Sequence, residues 1–256
     1  MKHIDLFINY IKRFFSGKLI LILFSFIVIV AVQFMSHIVL TGGYKDIGLE
    51  FSAADFVLSS FDRLGFYFNM IMIPFLLIFI GIRRDFYIND LIRCRRKSTL
   101  FKYQFFTICI VQTVFAAAEL FISVILGRIQ YKSLINFDEA GSYFVFENNG
   151  AHSNISFFRL CLLVFLFAVL VSVLINSVLL LLNWAVANGS LALVAMIALF
   201  AFDVFGKIGA CRIFGISYEQ LVDYNWYMLL LALAGIAVIF AAGMLLSSRK
   251  DFLNVK

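Results

Sequence analysis

The sequence predicts an all-α integral membrane protein: six transmembrane helices in a single transmembrane domain spanning residues 1–256. Three observations carry this. Hydrophobic residues make up 63% of the chain and charged residues 14%, against about 45–50% and about 25% in ordinary soluble domains. Mean hydropathy is +1.00, more apolar surface than a water-soluble core of this size can hide. Six segments reach or approach the roughly 20 apolar residues that cross a hydrocarbon core, and the charge between them alternates in sign. One Pro and 32 Phe exclude disordered, collagen-like and low-complexity classes.

The first element is amphipathic. Ile4, Phe7, Ile8, Ile11, Phe14 and Phe15 recur at helical spacing, with Lys2, Asp5, Asn9, Lys12 and Arg13 on other faces. Such a helix lies in the cytoplasmic interface with its basic residues at the headgroups. The plainer reading is a basic leader that happens to be helical. The spans follow at about 19–40, 64–82, 105–126, 158–182, 191–205 and 227–246. Backbone groups in lipid must be bonded within the segment, so all six are read as helices. The apolar stretch of the first is too long for a signal-peptide core, and no small-residue cleavage site follows it, so it is expected to be retained.

Charge orients the spans. Residues 1–18 carry a net +3, residues 41–63 a net −2, residues 83–103 a net +5 and residues 127–157 a net −1. The 183–190 turn is neutral, residues 203–223 carry −1 and the tail +2. Lys and Arg mark cytoplasmic loops, which puts both termini in the cytoplasm of a multi-pass plasma-membrane protein. The formal charge of +6 is thereby assigned to loop orientation, not to nucleic-acid binding.

Two connections are more than turns. Between spans 2 and 3, IRRDFYINDLIRCRRKSTLFKY is basic at both ends around the apolar cluster Phe86, Tyr87, Ile88, Leu91 and Ile92. A short helix offered to a cytoplasmic partner would use those aromatics; orientation charge with aromatics resting on headgroups explains them equally well. Between spans 5 and 6, the short fifth span reaches Asp203, and a moderately apolar stretch with Gly206, Gly209 and Gly215 follows. That pattern suits a re-entrant segment dipping in from the outer face, with an ordinary outer loop as the alternative. Glu119 is the one acid deep inside a span. Such residues are costly and face the bundle interior, either as a proton or substrate site or as partner to Ser, Thr or Asn on a neighbouring helix. Pro74 should kink the second span. Gly235, Ala237, Ala241 and Gly243 offer small-residue faces for close packing of the sixth.

Several chemistries are missing. Gly17-Lys18 and Gly206-Lys207 precede Leu and Ile, so neither completes a P-loop. There is no HExxH and no GxSxG, and His3, His37 and His152 lie too far apart in sequence for a metal-ligand spacing. Cys94, Cys109, Cys161 and Cys211 form no CxxC pair, which argues against a zinc site or a disulfide framework. No repeat relates the two halves, which weakens an inverted-repeat carrier.

The order of these features resembles the membrane subunit of ABC-2 type (type V) ABC exporters, especially the small permeases that accompany bacteriocin or lantibiotic immunity and peptide-export ATPases. The resemblance covers the whole layout: the amphipathic start, the basic second-to-third loop, the short Asn183–Ser190 turn, the irregular segment before the last span and the basic tail. Its most specific pieces are Arg83–Lys102 and SSRKDFL at 247–253. It departs from the family pattern at Arg93-Cys94-Arg95-Arg96-Lys97, where a Gly-Ser-Arg-like step is usual. The resemblance implies an elbow helix at Ile4–Phe15 and a coupling helix at about Asp85–Arg96, with Phe86, Tyr87, Leu91, Ile92, Arg93, Arg95 and Arg96 at the contact. It implies an outer gate at Phe205–Tyr224. It also implies that ATP and Mg are bound by a separate cytoplasmic ATPase dimer, beside a second permease copy or paralogue, and that the cargo is a peptide or lipophilic molecule. The chain itself is then not an enzyme. An ATP-independent channel or secondary carrier, or a non-transport sensor or assembly protein, are the alternatives.

Overall fold

The structure, a computed structural model, describes residues 2–44, 47–61, 66–83, 97–186, 191, 194–195, 197–198, 201–202 and 227–249. Among them the elements are α1 (Lys2–Phe15), α2 (Leu19–Tyr44), α3 (Ala53–Ser60), a π-helix (Phe66–Met72) running into α4 (Ile73–Arg83), α5 (Lys97–Gln130), α6 (Tyr143–Glu147), α7 (Phe157–Val186) and α8 (Tyr227–Arg249). The described residues contain no strand, only an isolated bridge between Glu50 and Ser142. Four helices, α2, α5, α7 and α8, are long and apolar enough to cross a membrane, and Asn69–Ile82 forms a shorter apolar helix. All described residues between 191 and 202 are helical.

Helix α5 is the axle. Its 34 residues extend about 50 Å at 1.5 Å per residue, and α2, α3, α4, α7, α8 and α1 all touch it. Neighbours fix the directions. Phe26 stacks on Phe115 and Gln33 reaches Ser123, so α2 runs parallel to α5. Trp184 lies edge-on to Phe101, while Phe66 meets Phe167 and Asn69 meets Glu119. The π-helix, α4 and α7 therefore run the opposite way. Gly235 faces Leu174 and Phe240 packs on Phe101 and Phe105, which sets α8 parallel to α7.

Span ends differ from the sequence expectation because helices do not stop where apolarity stops. Residues 97–103, expected in the basic loop, are the first turns of α5, with Leu100 and Phe101 buried. Residues 41–63, expected as a connection, hold the wholly buried α3. The expected kink at Pro74 takes another form. The π-helix ends at Met72, so Pro74 falls in the first turn of α4, directly after a departure from α geometry.

Helix α3 sits at the end of the bundle opposite α1. Its first amides donate to the Ser133 and Leu134 carbonyls at 3.1 and 2.9 Å, and Asp55 Oδ2 accepts from the Ser52 amide at 2.8 Å and from its hydroxyl at 2.7 Å. It can lie so close to α5 because position 127 is Gly: a Cβ there would stand 3.0 Å from Phe56 Cβ and 3.1 Å from the Ala53 backbone. The 131–156 connection closes over it, with Phe137 stacked on Phe144 at 4.1 Å, Phe51 on Tyr143 at 4.8 Å, and Asn136 donating to the Glu50 carbonyl. This end forms an ordered cap.

Of the small residues on the last span, Gly243 is buried and Gly235 half-buried at the bundle, while Ala237 and Ala241 face outward. A side chain at 243 would land inside the Phe101 ring, whereas Gly42 has nothing within 4 Å. Gly243→Leu should lower the thermal unfolding midpoint of the detergent-solubilised protein, since overpacking costs about 1–3 kcal/mol. Gly42→Leu should shift it little; equal midpoints in the two variants would contradict the α5–α8 packing.

Candidate functional site

The buried face of α5 carries polar residues at intervals of eight, seven and four: Gln104, Gln112, Glu119 and Ser123, all inaccessible to solvent. Those spacings keep them on one stripe of a helix. Glu119 is the centre. Its Oε1 accepts from Asn69 Nδ2 at 2.9 Å. Its backbone carbonyl accepts from Gln33 Nε2 at 3.1 Å and from Ser123 Oγ at 2.7 Å, and Gln33 Nε2 also donates to Ser123 Oγ at 2.9 Å. Three elements thus converge: α2 supplies Gln33, the π-helix Asn69, and α5 the acid and hydroxyl. Asn69 stands at the middle of the π-helix, whose wider turn is the kind of local departure from α geometry that gathers at functional sites. Among the described residues no Lys, Arg or His is a partner of Glu119.

Several atoms of this cluster have no partner: Glu119 Oε2, Asn69 Oδ1, Gln33 Oε1 and both polar atoms of Gln112. Buried polar atoms are nearly always paired, so this concentration marks the site. Lower on the stripe the pairing is complete between Trp184 Nε1 and Gln104 Oε1 at 2.7 Å. A narrow cleft lies between α4, α5 and α7, lined by Phe75, Ile78, Ile82, Ile108, Asn176 and Asn183.

At the cap, His37 is hydrogen-bonded to the Tyr131 hydroxyl and packs on Phe56 at 4.4 Å between centroids. The Tyr131 phenol is pushed up to about 12, first by burial and then by the Asp55 carboxylate, so its proton stays in place for that contact. Tyr143 is raised too, by burial and by donating to Glu147 Oε1 at 2.9 Å. Among the described residues no group of three His, Cys, Asp or Glu side chains could hold a metal ion.

The other sequence-predicted residues fall as follows. In α1, Phe14 is buried and Phe7 and Ile11 half-buried, but Ile8 is exposed. Tyr10, absent from the expected face, is buried in its place; the packed stripe is Phe7, Tyr10, Phe14. The side chain of Ile4 lies outside the described residues. So do Phe86, Tyr87, Leu91, Ile92, Arg93, Arg95 and Arg96, and Gly206, Gly209, Gly215 and Asp203. Sequence reading found Glu119 and named Asn as a possible partner type, but it missed Gln33, Asn69 and Gln112. The signal available was an amide inside each of three otherwise apolar spans, Gln33, Asn69 and Gln112. None of the protein-family models, curated proteins or solved structures compared with the chain matches it.

Asn69→Leu strips the Glu119 side chain of its donor, and an orphaned buried group costs about 1–3 kcal/mol. Asn176 Nδ2 bonds only the Ser172 carbonyl of its own helix, so Asn176→Leu should cost less. Unfolding midpoints of the two variants check the ranking.

Proposed function

We propose that the chain is the permease subunit of an ATP-driven exporter of the ABC-2 type, moving a hydrophobic or amphipathic cargo, with a peptide the class that its family resemblance favours. The observation that carries the reading is the seat of α1. Phe7 and Tyr10 pack on Tyr103 at 5.4 and 5.8 Å between centroids, six residues past Lys97. Phe14 and Lys18 fill the space above Gly81, two residues before Arg83. Helix α1 therefore braces both limbs of the hairpin from which the basic segment 84–96 emerges. An elbow helix that holds the base of a coupling segment has that placement.

Two further features support it. Helices α7 and α8 are parallel, which favours a return crossing between them, and the described residues in 191–202 are helical and apolar; with the apolar Asn69–Ile82 helix and the four long ones, this supports the six-span reading. The lack of a P-loop requires a separate ATPase, which would bind ATP and Mg and meet the basic segment. Both termini are then cytoplasmic and the cap is external. The unpartnered atoms around Glu119 favour a second reading, an ATP-independent carrier using that acid.

In a background lacking native Cys, Glu139→Cys should react with an impermeant thiol reagent in intact cells and Lys97→Cys should not; the reverse pattern would overturn the orientation. Exposed aromatic anchors each contribute about 2 kcal/mol or more when they fill a partner pocket. The double variant Phe86→Ala, Tyr87→Ala should insert normally yet lose the co-purifying ATPase or its coupling to transport. Unchanged co-purification together with unchanged cargo-stimulated hydrolysis would remove the exporter reading.

A further inference from the structure

We propose that Glu119 is a protonation site within the bundle: its carboxyl is held as the neutral acid in a two-way pair with the Asn69 carboxamide. The inference does not depend on the exporter reading.

The argument begins with what is missing from the pair. One half is present, Asn69 Nδ2 donating to Glu119 Oε1 at 2.9 Å. The two remaining atoms of the same two groups, Glu119 Oε2 and Asn69 Oδ1, are both buried and both without a partner. Each is an acceptor when the acid is ionised, so neither can satisfy the other. A single proton on Oε2 changes that: it turns Oε2 into a donor for Oδ1 and closes a cyclic acid–amide pair. No other single addition to the chain's own chemistry serves both orphans with one atom. Ionisation would instead leave a carboxylate inside the bundle with carboxamides beside it and, among the described residues, no cation, which a membrane interior penalises heavily.

The surroundings agree. The described titratable groups on the elements packed against Glu119 are engaged elsewhere or distant. On α2, His37 turns to Tyr131; on α3, Asp55 turns to Ser52. On the π-helix, Tyr67 is buried beside Phe66. On α7, Arg159 and Cys161 belong to its first turns, and on α8 the described titratable groups, Tyr227 and Arg249, stand at its two ends. On α5 itself, Cys109 lies ten residues away and Lys97, Lys102 and Arg128 near the helix ends. What does line the site is amide: Gln33 Oε1, and Gln112 two turns along the same stripe with its donor and acceptor both unpartnered. When the Oε2–H bond breaks the proton passes to water, since amides do not accept it. That step removes the only donor that could serve Asn69 Oδ1 from within the pair and leaves two buried acceptors, so loss of the proton weakens the junction between the π-helix and α5.

The test is infrared spectroscopy of the full chain reconstituted in lipid vesicles. At neutral pH the protein should show a protonated-carboxyl C=O stretch that disappears in E119Q and shifts in Asn69→Leu as its hydrogen bond is lost. E119Q should keep the fold, because a carboxamide presents the same donor and acceptor to Asn69. If it does not fold, wild-type protein grown with 13C-glutamate gives the assignment instead: the band must move with the label. A spectrum holding only carboxylate bands would overturn the proposal. So would a protonated band that is present in choline chloride but converts to carboxylate in sodium chloride, since the occupant of the site would then be a sodium ion competing with the proton.

Discussion

The hydrogen bond from Asn69 to Glu119 sets the level at which the bundle assembles. Glu119 has to be met by a donor at its own height along α5, and the element that can do so is interrupted by Pro74 five residues later. The π-helix resolves the conflict. It ends at Met72, lets α4 begin before the proline, and puts Asn69 against the acid. Gln33 then fixes α2 to the same level by bonding the Glu119 carbonyl and the Ser123 hydroxyl. Register in an apolar helix pair is weakly specified, because neighbouring Leu, Ile and Phe side chains are near-equivalent partners. A polar group with one admissible partner removes that freedom.

Close approach does the complementary work of holding the helices together. Gly127 brings α3 onto α5, Gly81 admits the Phe14 ring, and Gly243 admits the Phe101 ring. Around these points sit the large buried side chains, Trp184, Phe56, Phe66, Phe101 and Phe167. In lipid, apolar side chains gain little by leaving one hydrocarbon environment for another, so association rests on dispersion between well-fitted surfaces. The cap differs, since α3 and the 131–156 connection are held by backbone hydrogen bonds, capping and stacked aromatics. That is the set of interactions an irregular segment needs to bury its polar groups.

The all-helical class and the long apolar helices were legible because composition and segment length answer to bilayer thickness. Glu119 was legible because an acid inside an apolar run has few excuses. The rest depended on three-dimensional neighbours. Residues 53–60 contain Asp55, Ser59 and Ser60 and follow Ser52, so a burial that depends on Gly127 about seventy residues later leaves no local mark. The part of α1 that packs on the bundle, Tyr10 included and Ile8 not, was not legible for a related reason. Periodicity identifies an apolar arc, but the part of that arc which meets protein is chosen by Tyr103 and Gly81. The π-helix had a partial signal in Pro74, which foretold a departure from α geometry but not its form.

Magnitudes decide what the polar cluster is for. An interhelical hydrogen bond within a membrane contributes about 0.6 kcal/mol on average, because the separated helices find other partners. The single acid–amide bond and the Gln33 contacts together therefore add little to stability. Against that gain stand the desolvation of a carboxyl and of three carboxamides, Gln33, Asn69 and Gln112, all inaccessible to solvent and all with at least one polar atom unpartnered. Apolar residues of similar volume at these positions would pack as well and leave nothing unsatisfied. Register alone needs one such pair, as a lone buried Asn does in a coiled coil. The structure holds a stripe of them, which is more than stability and register require.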